Sequence, residues 1–174
     1  MDVGLVNLME SFYGGEILYH GSPDLKLELR DIETGFWCAT EPNSPIIDYY
    51  GGRGKLYKFS YNPKGLVVDM TEYDTDVDLN IEEGHVEEFL ADLLSEDPTV
   101  GLYDKYFTKM YDEGELYSRS NDLGDEVYTT SEVLNYMIRE YFIPNVRYSA
   151  IRIMESSYET ISVFRLNELQ MENF

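Results

Sequence analysis

Four places in the sequence carry residue types suited to chemistry. His20, one of only two histidines, stands between the strand-like Tyr19 and a Gly21-Ser22 turn in the stretch EILYHGSPDLKL. Trp37, the sole tryptophan, follows Gly35-Phe36. Tyr49 and Tyr50 come about one helix length later, and Glu159 heads the segment ETISVF near the C-terminus. Aromatic faces can hold a flat ring by offset stacking, and a carboxylate can stabilise positive charge that develops in a transition state. Each residue also has an ordinary structural use. A histidine closing a short apolar run most often completes a hydrogen-bond set, tryptophan and tyrosine pack in cores, and a strand-end glutamate discourages edge pairing. The other histidine, His85, has no visible partner in its acidic segment and is expected to be exposed.

These residues must be positioned by local elements. Val3, Val6, Leu8, Met9, Phe12 and Tyr13 form a loose helical pattern stopped by Gly14-Gly15. Four strand candidates follow, EILYH, GFWCAT, LYKFSY and GLVVDM, separated by Gly, Pro and Asn. In the middle, Val86, Phe89, Leu90, Leu93 and Leu94 are spaced for a helix, with Asn80 as its cap and Glu83 as the third-residue partner. A second helix is expected to begin at Asp97-Pro98 and to carry Tyr103, Phe107 and Tyr111 on one face. A third spans about Ser131 to Phe142, with Val133, Leu134, Met137, Ile138, Tyr141 and Phe142 as its stripe and Pro144 as its stop. Two strands, YSAIRIM and ETISVFRL, close the chain. Strands, then helices, then strands indicate an α+β fold.

With 174 residues, 43% hydrophobic and 14% aromatic, the chain supports one core, so a single domain over 1–174 is expected. The sequence shows no apolar run long enough for a membrane span and no signal-like leader. Cys38 is the one cysteine, which rules out an internal disulfide, offers no cysteine pair to a metal and makes the cytosol the expected compartment. A formal charge of -21 argues against direct nucleic-acid binding, which rewards clustered Lys and Arg. Of 34 carboxylates, 18 fall between Glu72 and Glu126, against three basic residues there. That block is either a solvated face or a docking surface for a basic partner.

The HGS turn, GFWCAT, the tyrosine pair, and the closing YSAIRIM and ETISVF strands followed by NEL together resemble, in order and spacing, the ADP-ribosyltransferase superfamily. The similarity is to the His, Tyr, Glu branch shared by diphtheria-type toxins and poly-ADP-ribose polymerases. It covers most of Ile17 to Leu169, with about 71–121 the least family-like part. The resemblance implies a split β-sheet core, with an acidic, mainly helical insertion over about 71–126. It further implies NAD as co-substrate and no metal. His20 would bond the adenosine-side ribose, the Gly21 backbone would hold the nicotinamide amide, and Ser22 would support the turn. Trp37 would be one aromatic wall, Tyr49 or Tyr50 the other, and Glu159 the catalytic carboxylate. Cleavage of the bond between nicotinamide and ribose builds an oxocarbenium-like sugar that such a carboxylate stabilises.

Trp37 stands where this branch has tyrosine, which leaves NAD binding expected and efficient turnover less so. Ser157 occupies the place of the extra glutamate found in arginine-directed members, so arginine is not the favoured acceptor. The expected activity is mono-ADP-ribosyl transfer to a protein, with an effector, toxin or phage anti-defence role as the setting. The competing expectations are an acidic, non-catalytic binding protein that mimics DNA charge and blocks a basic partner, an NAD glycohydrolase, and a transferase fold that only binds.

Overall fold

A computed structural model describes residues 15–23, 27, 29, 33–51, 54–94, 108–110, 112 and 118–172. The expected N-terminal helix over Val3–Tyr13 and the second middle helix from Asp97 fall largely outside these residues. Ten strands are described: β1 (Glu16–Ser22), β2 (Phe36–Ala39), β3 (Lys55–Tyr61), β4 (Leu66–Asp74), β5 (Asp78–Asn80), β6 (Arg119–Ser120), β7 (Glu126–Thr129), β8 (Tyr148–Glu155), β9 (Tyr158–Val163) and β10 (Leu169–Met171). The helices are α1 (Pro45–Gly51), α2 (His85–Leu93) and α3 (Thr130–Met137). The fold is α+β, as the order of periodicities implies.

Seven strands form one mixed sheet in the order β10-β3-β1-β2-β9-β8-β4, and β5, β7 and β6 form a small second one. Only the β4–β8 pair is parallel among the described pairs. β1 runs against β3 along its whole length, from Glu16↔Tyr61 to Ser22↔Lys55. Against β2 it shares one register pair, Tyr19↔Ala39. The large sheet therefore parts beyond Tyr19, next to His20 and Gly21.

Two apolar clusters lie against this sheet. One gathers α2, α3 and strand residues such as Met70, Ile151 and Ile153. The other gathers Leu18, Phe36, Cys38, Phe59, Tyr61 and Ile161. On α2, Val86, Phe89, Leu90 and Leu93 are buried at the spacing the sequence shows, each contributing about 1.5–3 kcal/mol by leaving water. The cap differs from expectation. Asn80 ends β5, its side chain accepts the Glu83 N–H at 3.1 Å, and it closes the turn ahead of the helix. Gly84, with φ of 75°, is the residue at the helix start. The described part of 71–126 mixes both kinds of element: it contributes the end of β4, β5, β6 and the start of β7 besides α2 and the helical residues 108–110 and 112.

α3 begins with a reciprocal cap: Glu132 N–H donates to the Thr129 hydroxyl, and the Thr129 N–H donates to the Glu132 carboxylate. Its continuation, Ile138–Phe142, winds as a π-helical turn, with Ile143 N–H reaching back to the Ile138 carbonyl at 2.9 Å. The stripe expected to end near Pro144 therefore does so after a change of helix type.

Candidate functional site

A cavity of about 400 Å³ opens where β1 and β2 part, a volume in the range of small-molecule sites. His20 and Gly21 line it together with Trp37, 17 residues on from His20. Ile46 and Ile47 of α1 and Leu134 of α3 close it with apolar surface.

The register explains how each side chain arrives there. Trp37 pairs with Ser162 and Ala39 with Thr160, so these four share one face of β2 and β9. Tyr19 joins that face through Ala39. Cys38 and Ile161 pair on the opposite face and lie in the second apolar cluster. The turn that leads into β2 is fixed by the Ser162 hydroxyl, which donates to the Thr34 carbonyl at 2.7 Å. Gly35 makes that approach possible. Its φ is +79°, and a Cβ there would stand 2.1 Å from Ser162 Oγ.

His20 alternates with Tyr19, so its ring turns to the Phe36 and Cys38 face and reaches the cavity where the strands part. Its Nδ1–H donates to the Trp37 carbonyl at 2.8 Å, and the ring lies 4.4 Å from Phe36, centroid to centroid. Burial lowers its pKa, against a smaller upward pull from the Trp37 carbonyl. The ring is thereby kept neutral near pH 7, with Nε2 as an acceptor. Ser22 is buried at the end of β1 and is not among the residues lining the cavity. Tyr49 and Tyr50 belong to α1, a helix not expected from the sequence, and their side chains lie outside the described residues.

Glu159 occupies a different environment from the one its sequence position suggests. It alternates with Thr160, so its side chain leaves the face that carries Trp37. There the Arg152 guanidinium grips Glu16 with both Nη atoms and donates from Nη1 to Glu159 at 2.7 Å. Burial alone lowers the Arg152 pKa, but the two carboxylates outweigh it and raise it. Glu159 is not among the cavity's lining residues. Burial pushes the Cys38 thiol upward, and the charge of Glu16 adds to this, which makes the cysteine a poor nucleophile.

Two features escape sequence reasoning. Glu155 lines the cavity and is the single carboxylate among its described lining residues. Between it and β9 lies the two-residue turn Ser156-Ser157, with φ of 48° and 70°. This left-handed backbone usually selects Asn-Gly and costs roughly 1–2 kcal/mol per L-residue. Asp74 holds the turn: its carboxylate accepts both serine N–H groups, at 3.3 and 2.9 Å. The Ser156 hydroxyl donates to Asp76 at 3.0 Å. Burial would raise the Asp74 pKa, but the N–H groups of Asp76, Ser157 and Ser156 together bring it below the ordinary value. The Ser157 that marks a departure from arginine-directed enzymes thus has a structural use. His85, expected to lack a partner, lies 3.4 Å from the Glu83 carboxylate.

No family model matches the chain, and no curated protein matches it. Among solved structures it is similar to one described as "Crystal structure of an anti-CRISPR protein", at 19% identity and a TM-score of 0.41, over 91% of this chain and 94% of that one. A likeness of that degree assigns neither fold nor activity. Among the described residues, no group of three or more His, Cys, Asp or Glu is arranged to hold a metal, and no helix is long and apolar enough to cross a membrane.

Proposed function

We propose that the protein is an NAD-dependent mono-ADP-ribosyltransferase acting on a protein, with nicotinamide as the leaving group. The observation that carries this reading is the cavity at the parting of β1 and β2, which collects His20, Gly21 and Trp37, three of the six residues the family resemblance assigns to NAD. The fit is chemical as well as positional. A neutral His20 with Nε2 as acceptor suits a ribose hydroxyl. The backbone of Gly21 lies at an edge of β1 where the ladder to β2 has ended and can meet a carboxamide. The indole of Trp37 offers a face for a flat cationic ring. The β8–β9 hairpin supplies one carboxylate to the cavity, Glu155, and a carboxylate there can stabilise the oxocarbenium-like sugar.

The acidic surface favours a second reading, an acidic protein that blocks a basic partner without chemistry. Glu87 and Glu88 of α2 are exposed, as are Glu82 and Glu83 just before it. Charge of this kind also suits a transferase that docks a basic target. One experiment separates these functions: incubation with labelled NAD and cell lysate, with mass analysis of the proteins and of free ADP-ribose. Labelled protein is the expected result. Free ADP-ribose alone means a glycohydrolase. Neither product, together with no NAD binding by calorimetry, removes the transferase reading and leaves the charge-based one.

A further inference from the structure

We infer that Glu155, the last residue of β8, is the carboxylate that acts on the substrate in the cavity, and that Glu159 belongs to the ion cluster that ties β1 to β8 and β9. This inference rests on the transferase reading and names its acid residue. Three observations lead to it. First, Glu155 lines the cavity while Glu159 does not. Second, the register places the two on opposite faces. Ile153 pairs with Thr160, Thr160 lines the cavity, and Glu155 stands two residues beyond Ile153 on the same face. Glu159, the neighbour of Thr160, faces the other way and shares Arg152 with Glu16.

Third, the backbone around Glu155 is held from outside the hairpin. The Ser156-Ser157 turn that follows it has two left-handed residues secured by Asp74 and Asp76. Just before it, the Met154 carbonyl accepts the Thr75 N–H at 2.9 Å, and the Thr75 carbonyl accepts Ser131 N–H at 3.2 Å. Glu155 is thereby fixed relative to both the end of β4 and the start of α3, and Thr75 and Ser131 themselves line the cavity. Backbone held in sparsely populated conformations clusters where a side chain has to be aimed.

In the step this serves, the bond from the ribose C1′ to the nicotinamide nitrogen breaks and its electron pair leaves with nicotinamide, which becomes neutral. C1′ then bonds to the acceptor oxygen or nitrogen, whose proton passes to solvent. The Glu155 carboxylate stabilises the positive sugar between those events and needs no change in its own covalent state.

The test compares Glu155→Gln with the wild-type protein in NAD consumption under saturating substrate, NAD affinity by calorimetry and thermal unfolding. The expected result is a rate lower by at least about a hundredfold, with NAD affinity within about threefold and an unchanged melting temperature. Glu155→Asp, which keeps the charge on a shorter stem, should recover part of the rate. Glu159→Gln should lose less rate than Glu155→Gln and show its larger effect in the melting temperature. A wild-type protein that neither binds nor consumes NAD overturns the transferase reading and this inference with it. If the wild type consumes NAD and Glu155→Gln falls by less than a hundredfold, the inference alone is overturned. A loss of NAD affinity equal to the loss of rate overturns it as well, because the residue would then serve binding and not the chemical step.

Discussion

The two faces of the β8–β9 hairpin carry carboxylates four residues apart in different surroundings. On the face toward the cavity, Glu155 lies among Thr160, Thr75 and the apolar residues of α1 and α3. On the opposite face, Glu159 and Glu16 flank Arg152. The difference comes from the parity of a β-strand, in which one residue of register moves a side chain from one face to the other. A glutamate heading a strand in a family-like sequence is therefore an incomplete argument for a catalytic acid. The face must be known, and here it follows from pairs such as Met154↔Glu159 and Ile153↔Thr160.

The comparison breaks most directly at Arg152. Its side chain is 19% exposed, against 33% for Glu16 and 37% for Glu159. Replacing it with alanine leaves two carboxylates close together without their shared cation. Removing one partner from a fully buried pair costs about 3–5 kcal/mol; solvent screening of the two partly exposed glutamates places Arg152→Ala below that range, at about 2.5 kcal/mol, in urea unfolding. An unchanged midpoint would mean that the cluster holds nothing together and that Glu159 is not a structural residue. Arg152→Met, which keeps most of the apolar stem, separates lost charge from lost packing.

Much of this architecture is legible in the sequence, for identifiable reasons. Apolar runs bounded by Gly, Pro and Asn gave away β1, β2, β3 and β4, and the i, i+3, i+4 spacing of Val86, Phe89 and Leu90 gave away α2. Short strands paired far along the chain left no such mark. β5 is three residues long and is defined by partners in β7, such as Leu79↔Tyr128, so Asn80 reads as a helix cap when it is in fact a strand end. In the candidate site, the HGS turn and GFWCAT were visible as motifs, and the cavity brings His20, Gly21 and Trp37 together. Arg152 and Glu155 carry no mark in the sequence, because their surroundings arise from tertiary register. Arg152 sits in an apolar strand whose alternation gives no hint of its partners. Glu155 precedes a Ser-Ser pair that lacks the glycine or asparagine usual for a tight hairpin, and Asp74, far away in sequence, supplies what the turn residues do not.

A pair of glycines sharpens the contrast between the site and the acidic region. Gly35 and Gly84 have nearly equal left-handed backbones, with φ of +79° and +75°. An alanine Cβ at position 84 meets nothing within 4 Å, whereas at position 35 it meets Ser162 Oγ at 2.1 Å and the Val163 carbonyl at 3.1 Å. Gly84→Ala should therefore cost only the conformational penalty, about 1 kcal/mol. Gly35→Ala adds displacement of the β9 contacts and should cost about 2 kcal/mol in all. It should also weaken NAD binding, since Thr34 and Gly35 line the cavity. Equal costs at the two positions would show that the turn before β2 gives way easily and is no rigid wall.

The smallest effect concerns protonation on the cavity side. His20 has its pKa lowered, first by burial, with the Trp37 carbonyl pulling weakly the other way. In the unfolded chain the ring takes a proton near pH 6.5, so the unfolded state binds more protons once the pH drops to that value. The stability associated with neutral His20 is thus fully present above about pH 6.5 and declines as the pH falls from there toward the folded-state pKa. In an NMR titration the imidazole should change charge below the ordinary histidine value, and the Nδ1–H resonance should persist through neutral pH. His20→Gln should flatten the corresponding part of the stability profile by less than the cost of Gly84→Ala. The same variant should weaken NAD binding, because an amide cannot reproduce both the Nδ1–H bond to Trp37 and an acceptor at the position of Nε2. An imidazole that titrates well above the ordinary value, past neutrality, would place a charged ring in the cavity at neutral pH. It would then repel the cationic nicotinamide ring, and the assignment of the cavity to NAD would lose its electrostatic basis.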